Sequence, residues 1–335
     1  MTEAINYRPV LRAYAADCQP QAVAFLDSAG GFSGARLWRL TTPRGPLCLR
    51  RWPQSHPTKD HLEFIQAVLW HVHQEGFDLA PLPLETLTHA GYVRHEGHLW
   101  ELTPWLAGAP DYRAAPNAAR RRAAMTALGE FHLAAQSFPL ADDVACQSPG
   151  IGQRQEQLAA LLDGGFERLR QAVAAASDMH RETAARIVEF FPRVAPRIKA
   201  VLAQAARVEV LLVPCLRDVW CDNVLFVGDG VSGLIDFGAL QPENISADVA
   251  RLFGSMAEDD RSAWKEGLVA YESVRRLSEL ETMLVAAFDE SGVLLGAVNW
   301  LTWLYLDART FDQPARVQER LDYFCRRLGH LADTG

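Results

Sequence analysis

The feature that most restricts this 335-residue chain is a pair of polar stations at the two ends of what reads as one β-hairpin. Asp218-Val219-Trp220-Cys221-Asp222-Asn223 precedes it, and Asp236-Phe237-Gly238 follows it. Val224-Leu225-Phe226 has strand character, Asp229-Gly230 is a hairpin-turn signal, and Ser232-Gly233-Leu234-Ile235 is the return strand. Such a hairpin carries Asp236 back beside Asn223, while Asp218 sits on the tight loop before it. Phosphoryl transfer needs one carboxylate to orient an attacking hydroxyl and two oxygen ligands for the magnesium ions that bridge nucleotide phosphates. The pattern therefore assigns Asp218 as catalytic base, with Asn223 and Asp236 as metal ligands.

Upstream, the glycine-rich stretch Ala29-Gly30-Gly31-Phe32-Ser33-Gly34-Ala35 enters the alternating run Arg36-Leu37-Trp38-Arg39-Leu40. Pro43-Arg44-Gly45-Pro46 turns the chain into a second strand, Leu47 to Trp52, so an antiparallel hairpin is expected. Glycine lets backbone amides approach phosphates, which makes Gly30, Gly31, Ser33 and Gly34 nucleotide contacts. On the second strand Arg50 is the cation expected to reach the phosphates, and alternation turns Arg51 to the opposite face. Glu63, on the amphipathic helix Lys59 to Trp70, is the carboxylate expected to hold Arg50. A helix is also expected around Pro20 to Phe25. Leu99 to Trp105 reads as the last strand before a hinge, where the backbone at Leu102 and Trp105 would meet the adenine edge.

Together these elements resemble the aminoglycoside phosphotransferase and choline kinase family, the small-molecule relatives of protein kinases, over most of the chain. The resemblance implies an α+β, protein-kinase-like two-lobe fold. An antiparallel-sheet nucleotide-binding lobe would span 1–104, and a mainly helical lobe with the catalytic loop and acceptor site would span 105–335. It also implies an ATP- and magnesium-dependent phosphotransferase acting on a hydroxyl of a small molecule. The family loop reads His-Gly-Asp, but here the positions are Leu216, Arg217 and Asp218. The histidine supports the loop in the family and is not the base. Asp248, in Ala247-Asp248-Val249, matches a carboxylate that braces this loop or caps a helix, and His132 reads as a packed structural residue. Two alternatives share the fold: a catalytically weak nucleotide-binding module, supported by the missing histidine, and transfer of a nucleotidyl group. For the acceptor, Glu258-Asp259-Asp260 and the aromatic cluster Trp300, Trp303 and Tyr305 are candidates. A choline-like cation, an amino sugar, an amino alcohol such as homoserine and a plain sugar all remain open.

Composition narrows the partners. A net charge of −8 argues against nucleic acid, because phosphate neutralisation needs a basic face, and Arg120-Arg121-Arg122 is a short run on a helix. None of the six cysteines has the Cys-x-x-Cys spacing of a zinc or redox site, so reduced thiols are expected. No apolar run reads as approaching the ~20 residues of a membrane span, and the start lacks a basic, then apolar leader. A cytoplasmic protein without a membrane partner is the expectation.

Overall fold

The computed structural model describes residues 6–26, 34–140, 145–311 and 313–334. The chain groups into two compact units: Met1–Asp111 with Asp222–Ala239, and Tyr112–Cys221 with Leu240–Gly335. The division differs from a single cut after residue 104. The reason is the hairpin of Val224–Val227 and Gly230–Leu234, which belongs to the first unit. There Ala109 bridges Phe226, Leu234 N–H donates to Leu79 O at 2.7 Å, and Ser232 Oγ donates to Ala107 O at 2.7 Å.

The first unit is built on five antiparallel strands: β1 (Ala22–Leu26), β2 (Arg36–Thr42), β3 (Gly45–Arg51), β4 (Val93–His95) and β5 (His98–Pro104), in the order β1-β2-β3-β5-β4. Where the sequence suggested a helix at Pro20 to Phe25, the chain instead forms β1. Its five residues pair with β2, and Phe25 packs on Trp38 with ring centroids 5.3 Å apart, a tertiary gain that so short a helix would lack. Period-2 alternation then sorts the sheet into two faces. On one face Trp38, Leu40, Leu49, Trp100 and Leu102 pack with Val10 and Leu11 of the short helix α1 (Arg8–Leu11). On the other, Trp52 and Leu99 pack with Leu62 of α2 (Lys59–Gln74). Thr58 caps α2 by accepting from His61 N–H, and Leu62, Ile65, Leu69 and Val72 supply its buried stripe.

The second unit is helical: α3 (Ala118–Ala135), α4 (Pro149–Ala160), α5 (Phe166–Ala175), α6 (Arg181–Ala205), α7 (Ser246–Ala257), α8 (Arg261–Glu272), α9 (Glu279–Tyr305) and α10 (Pro314–Asp333). α6 runs on through Pro192 and Pro196 because its apolar stripe, Ile187, Phe191, Val194, Ile198 and Leu202, is buried throughout. α9 starts at a capping box, Ser278 with Glu281, and is 27 residues long. Its length and composition would suffice to cross a membrane, contrary to the expectation from the sequence, but 67% of its apolar window is buried within the protein. It is the core helix of this unit. A short antiparallel pair, Val213–Cys215 with Gln241–Glu243, feeds the chain into the loop at Leu216.

Candidate active site

In the sheet unit the ends of the hairpin are locked together: Leu234 pairs with Val224, and Ile235 N–H donates to Asn223 O at 2.9 Å. Asn223 and Asp236 therefore share one end. Asp236 holds a left-handed φ of +67°, a strained setting for a residue with a side chain. Gly238 accepts a hydrogen bond on its carbonyl from His56 Nε2 at 2.9 Å, and a Cβ there would press on the Trp52 ring at 3.0 Å. Trp52 in turn lies under the Arg50 guanidinium, 4.6 Å from the ring centre.

Arg50 sits 3.6 Å from Asp236 and 3.9 Å from Glu101, its cross-strand neighbour on β5. Burial would lower the guanidinium pKa, but Asp236 and Glu101 outweigh it and raise the value. Glu101 is pushed above the usual carboxylate range by burial, partly offset by Arg50 and by a hydrogen bond from Gln66 Nε2 at 3.3 Å. Arg51 faces the other way, over the Trp100 ring at 5.9 Å, as alternation requires.

Three sequence assignments meet a different geometry here. Glu63 does not pair with Arg50: it is exposed, bound to Lys59 Nζ at 3.2 Å and to the Tyr92 hydroxyl at 2.9 Å. Gln66, three residues on along α2, is the helix residue that turns inward. Leu102 points into the core opposite Arg50, and its carbonyl accepts from Leu84 N–H at 2.8 Å, so neither group is open to a ligand. Trp105 has spent its N–H on Pro46 O at 3.0 Å, and its ring carries Arg39 at 4.8 Å. Gly34 adopts φ +77°, available to glycine at little cost, while Gly30, Gly31 and Ser33 lie outside the described residues. Glu101 escaped the sequence reading, although one acid within Leu99-Trp100-Glu101-Leu102 signals a buried carboxylate needing a cation.

In the helical unit Asp218 is exposed on its loop, and Trp220 Nε1–H donates to its Oδ1 at 2.9 Å. The loop is braced by Asp248 of α7, fully buried. Asp248 accepts from Leu216 N–H and Arg217 N–H, each at 2.6 Å, and from His132 Nε2–H at 3.1 Å. His132 of α3 accepts at Nδ1 from the Tyr271 hydroxyl at 2.8 Å. Burial holds the His132 pKa below its ordinary value despite Asp248, so the imidazole is neutral and passive. Arg217 has φ +62°, and its guanidinium reaches the amides of Gln241 and Gln153. His132, Cys215 and Asp248 place possible ligand atoms within 4.8 Å of one another. Both ring nitrogens are spent, however, and burial holds Cys215 as a thiol bonded to Glu243 O. This cluster is a brace.

The two suggested acceptor sites are also consumed. Glu258 pairs with Arg326, Asp259 with Arg327, and Asp260 caps α8. Trp300 is buried edge-on to Trp303, and Tyr305 donates to Asp178.

The APH model, "Phosphotransferase enzyme family", matches residues 28–283, and the chain belongs to this family. It is a small-molecule kinase with a hydroxyl acceptor, on the α+β protein-kinase-like fold. A curated relative, "Homoserine kinase" of Allorhizobium ampelinum, is 27% identical over 88% of this chain and 84% of its own length. Among solved structures, an aminoglycoside phosphotransferase from Alicyclobacillus acidocaldarius aligns with a TM-score of 0.64 at 19% identity, covering 98% of this chain and 96% of that one. An amicoumacin kinase, hAmiN, in complex with AMP-PNP, Ca2+ and Ami, aligns at 0.62 and 12% identity, covering 92% and 89%.

Proposed function

We propose that the chain transfers the γ-phosphoryl group of ATP, with magnesium, to a hydroxyl of a small acceptor in the cytoplasm. The sheet unit holds the nucleotide and the helical unit holds the acceptor. The observation that carries this reading is the convergence of Arg50 on Asp236, with Asn223 locked at the same hairpin end. The donor set suits the metal: Asn223 and Asp236 offer oxygen, the ligand type a hard cation takes. When bound, the ion would neutralise charge on the phosphate oxygens.

The remaining work falls to the chain. Asp218, its carboxylate steered by the Trp220 indole, accepts the acceptor's hydroxyl proton as the new O–P bond forms and the bond to the ADP oxygen breaks. Arg50, always charged, holds phosphate oxygens that its partners Asp236 and Glu101 prearrange it to meet. The relatives named homoserine kinase put L-homoserine first among acceptors to try. The test is magnesium-dependent formation of ADP and a phosphate ester, followed by phosphorus NMR, with wild type and Asp218→Asn. The variant should lose about 1000-fold or more in kcat, at the upper part of the range for a general base, and keep its affinity for ATP. An Asp218→Asn enzyme of near-normal turnover would remove Asp218 from this role, and a nucleotidyl product in place of ADP would replace the reaction.

A further inference from the structure

The helical unit contains a pocket to which the mechanism above gives no part. Arg154 of α4, Trp220, Arg251 of α7, Phe288 and Gly292 of α9 and Arg327 of α10 line it, and it encloses about 320 Å3 counting its open mouth. Its charge is unbalanced. Arg327 is gripped by Asp289 through both terminal guanidinium nitrogens, at 2.9 and 2.8 Å, and by Asp259 at 3.0 Å, so it is satisfied. Arg154 lies over the Phe288 ring at 4.6 Å and, among the described residues, donates only to Gly150 O, at 3.1 Å. Arg251 lies over the Trp220 ring at 5.0 Å.

Among the described residues neither Arg154 nor Arg251 has a carboxylate within ion-pair reach. Glu243, the acid acting on Arg154 from nearby, already accepts from Ser148 Oγ, Gly150 N–H and Asn244 N–H. Burial first, and then the Arg251 charge, push the Arg154 pKa down to about 9. Asp289, which also lines the pocket, acts on Arg251 from beyond ion-pair distance while both its oxygens are bonded to Arg327. Two guanidiniums on one sheltered wall with no carboxylate in direct contact are costly to hold and are relieved by an incoming anion. One further contact says where that anion belongs: the Trp220 ring that lines the pocket is bonded through Nε1 to Asp218 Oδ1.

We propose that this pocket is the acceptor's carboxylate subsite, with Arg154 and Arg251 as the recognising pair, so that the acceptor is a hydroxylated carboxylic acid of amino-acid size. The assignment rests on the kinase reading. It also separates the family's acceptor chemistries: a polycationic amino sugar is repelled by the same two charges that draw a carboxylate in.

The test compares L-homoserine with 3-aminopropan-1-ol, the same molecule without its carboxyl group, within a panel of hydroxylated acids, amines and sugars. Magnesium-dependent ADP release is followed with wild type, Arg154→Gln, Arg251→Gln and Gly292→Leu. The last fills the pocket without changing charge, at a position where a Cβ meets nothing within 4 Å, and so retains the fold. Wild type should prefer carboxylated acceptors by about 100-fold in kcat/KM, the scale expected when a buried charge loses its partner. Each arginine variant should raise the acceptor KM by roughly 10-fold or more while KM for ATP and use of the amine stay within about twofold, and Gly292→Leu should raise the acceptor KM similarly. Equal use of the carboxyl-free acceptor, equal loss on both acceptors in the arginine variants, or an indifferent Gly292→Leu enzyme overturns the subsite and leaves the kinase reading standing. No magnesium-dependent ADP release with any panel member overturns the kinase reading, and the subsite with it.

Discussion

Replacing Asp248 by alanine tests the brace directly. The carboxylate is fully buried and accepts three hydrogen bonds, from Leu216 N–H, Arg217 N–H and His132 Nε2–H. A hydrogen bond to a charged group contributes about 1.5–3 kcal/mol, but three that share one carboxylate are not additive, so a loss of about 4–6 kcal/mol is the working figure. That is a large share of the ~5–15 kcal/mol that holds a native protein, yet survivable. At roughly 2 °C per kcal/mol for a chain of this size, Tm should fall by on the order of 10 °C. Function should suffer more than stability. Arg217 is held at φ +62° just before Asp218, and without its N–H acceptor the strained residue relaxes and carries the base with it. A displacement of about 1 Å costs on the order of 100-fold, so kcat should drop by about that factor while KM for ATP stays within a few-fold. Asp248→Asn keeps the shape and one acceptor but sets an amide donor against a backbone donor, and should fall between the two. Thermal unfolding and coupled ADP release are the assays. An Asp248→Ala protein with kcat within about threefold of wild type and Tm within about 2 °C would refute the brace.

Arg50→Met should abolish most turnover and, by leaving buried Glu101 without its cation, cost about 3–5 kcal/mol. Arg50→Met with Glu101→Gln should recover much of the stability and none of the activity, whereas Arg51→Met should leave both within about twofold, as expected for a surface position; a crippled Arg51 variant would shift the strand register. Because the folded pKa of His132 lies below the unfolded value of about 6.5, the unfolded state binds more protons as pH falls through and below that value. Stability present above about pH 6.5 should therefore be lost toward pH 5, and the slope of Tm against pH in that window should be shallower in His132→Gln. An unchanged slope would show that other groups dominate the acid limb.

How much was legible in the sequence depended on whether the signal was local. The hairpin carrying Asn223 and Asp236 was readable because its turn, strands and polar ends are contiguous. The faces of Arg50 and Arg51 followed from alternation alone. Glu63 was misread because helical periodicity says which stripe is buried but not which residue of it meets a given strand, and Gln66 took that place. Leu102 and Trp105 were assigned to a hinge whose backbone groups are spent on Leu84 and Pro46, partners that strand propensity does not name. Proline is a helix breaker in local terms, yet continuous burial of the apolar stripe carries α6 through Pro192 and Pro196. The arginine pocket draws on α4, α7, α9 and α10, whose residues are far apart in the chain, so no spacing could have disclosed it.

The substitution of leucine for the loop histidine changes meaning once Asp248 is in view. A histidine at Leu216 would support the loop from within it, through a side chain. Here Leu216 is buried and contributes only packing, while its N–H and that of Arg217 are both held by a carboxylate arriving from α7. An imidazole is still present at the site: His132 supplies one from α3, bonded to the same carboxylate oxygen as the Leu216 N–H, with its tautomer fixed by the acceptor-only Asp248 and its other nitrogen met by Tyr271. Support for the loop in this chain comes from residues on three helices, α3, α7 and α8, none of which moves without disturbing a packed core. The one feature of the sequence that argued for a weak or inactive module therefore argues for nothing of the kind, because the rigidity the histidine would give the base is provided by another route.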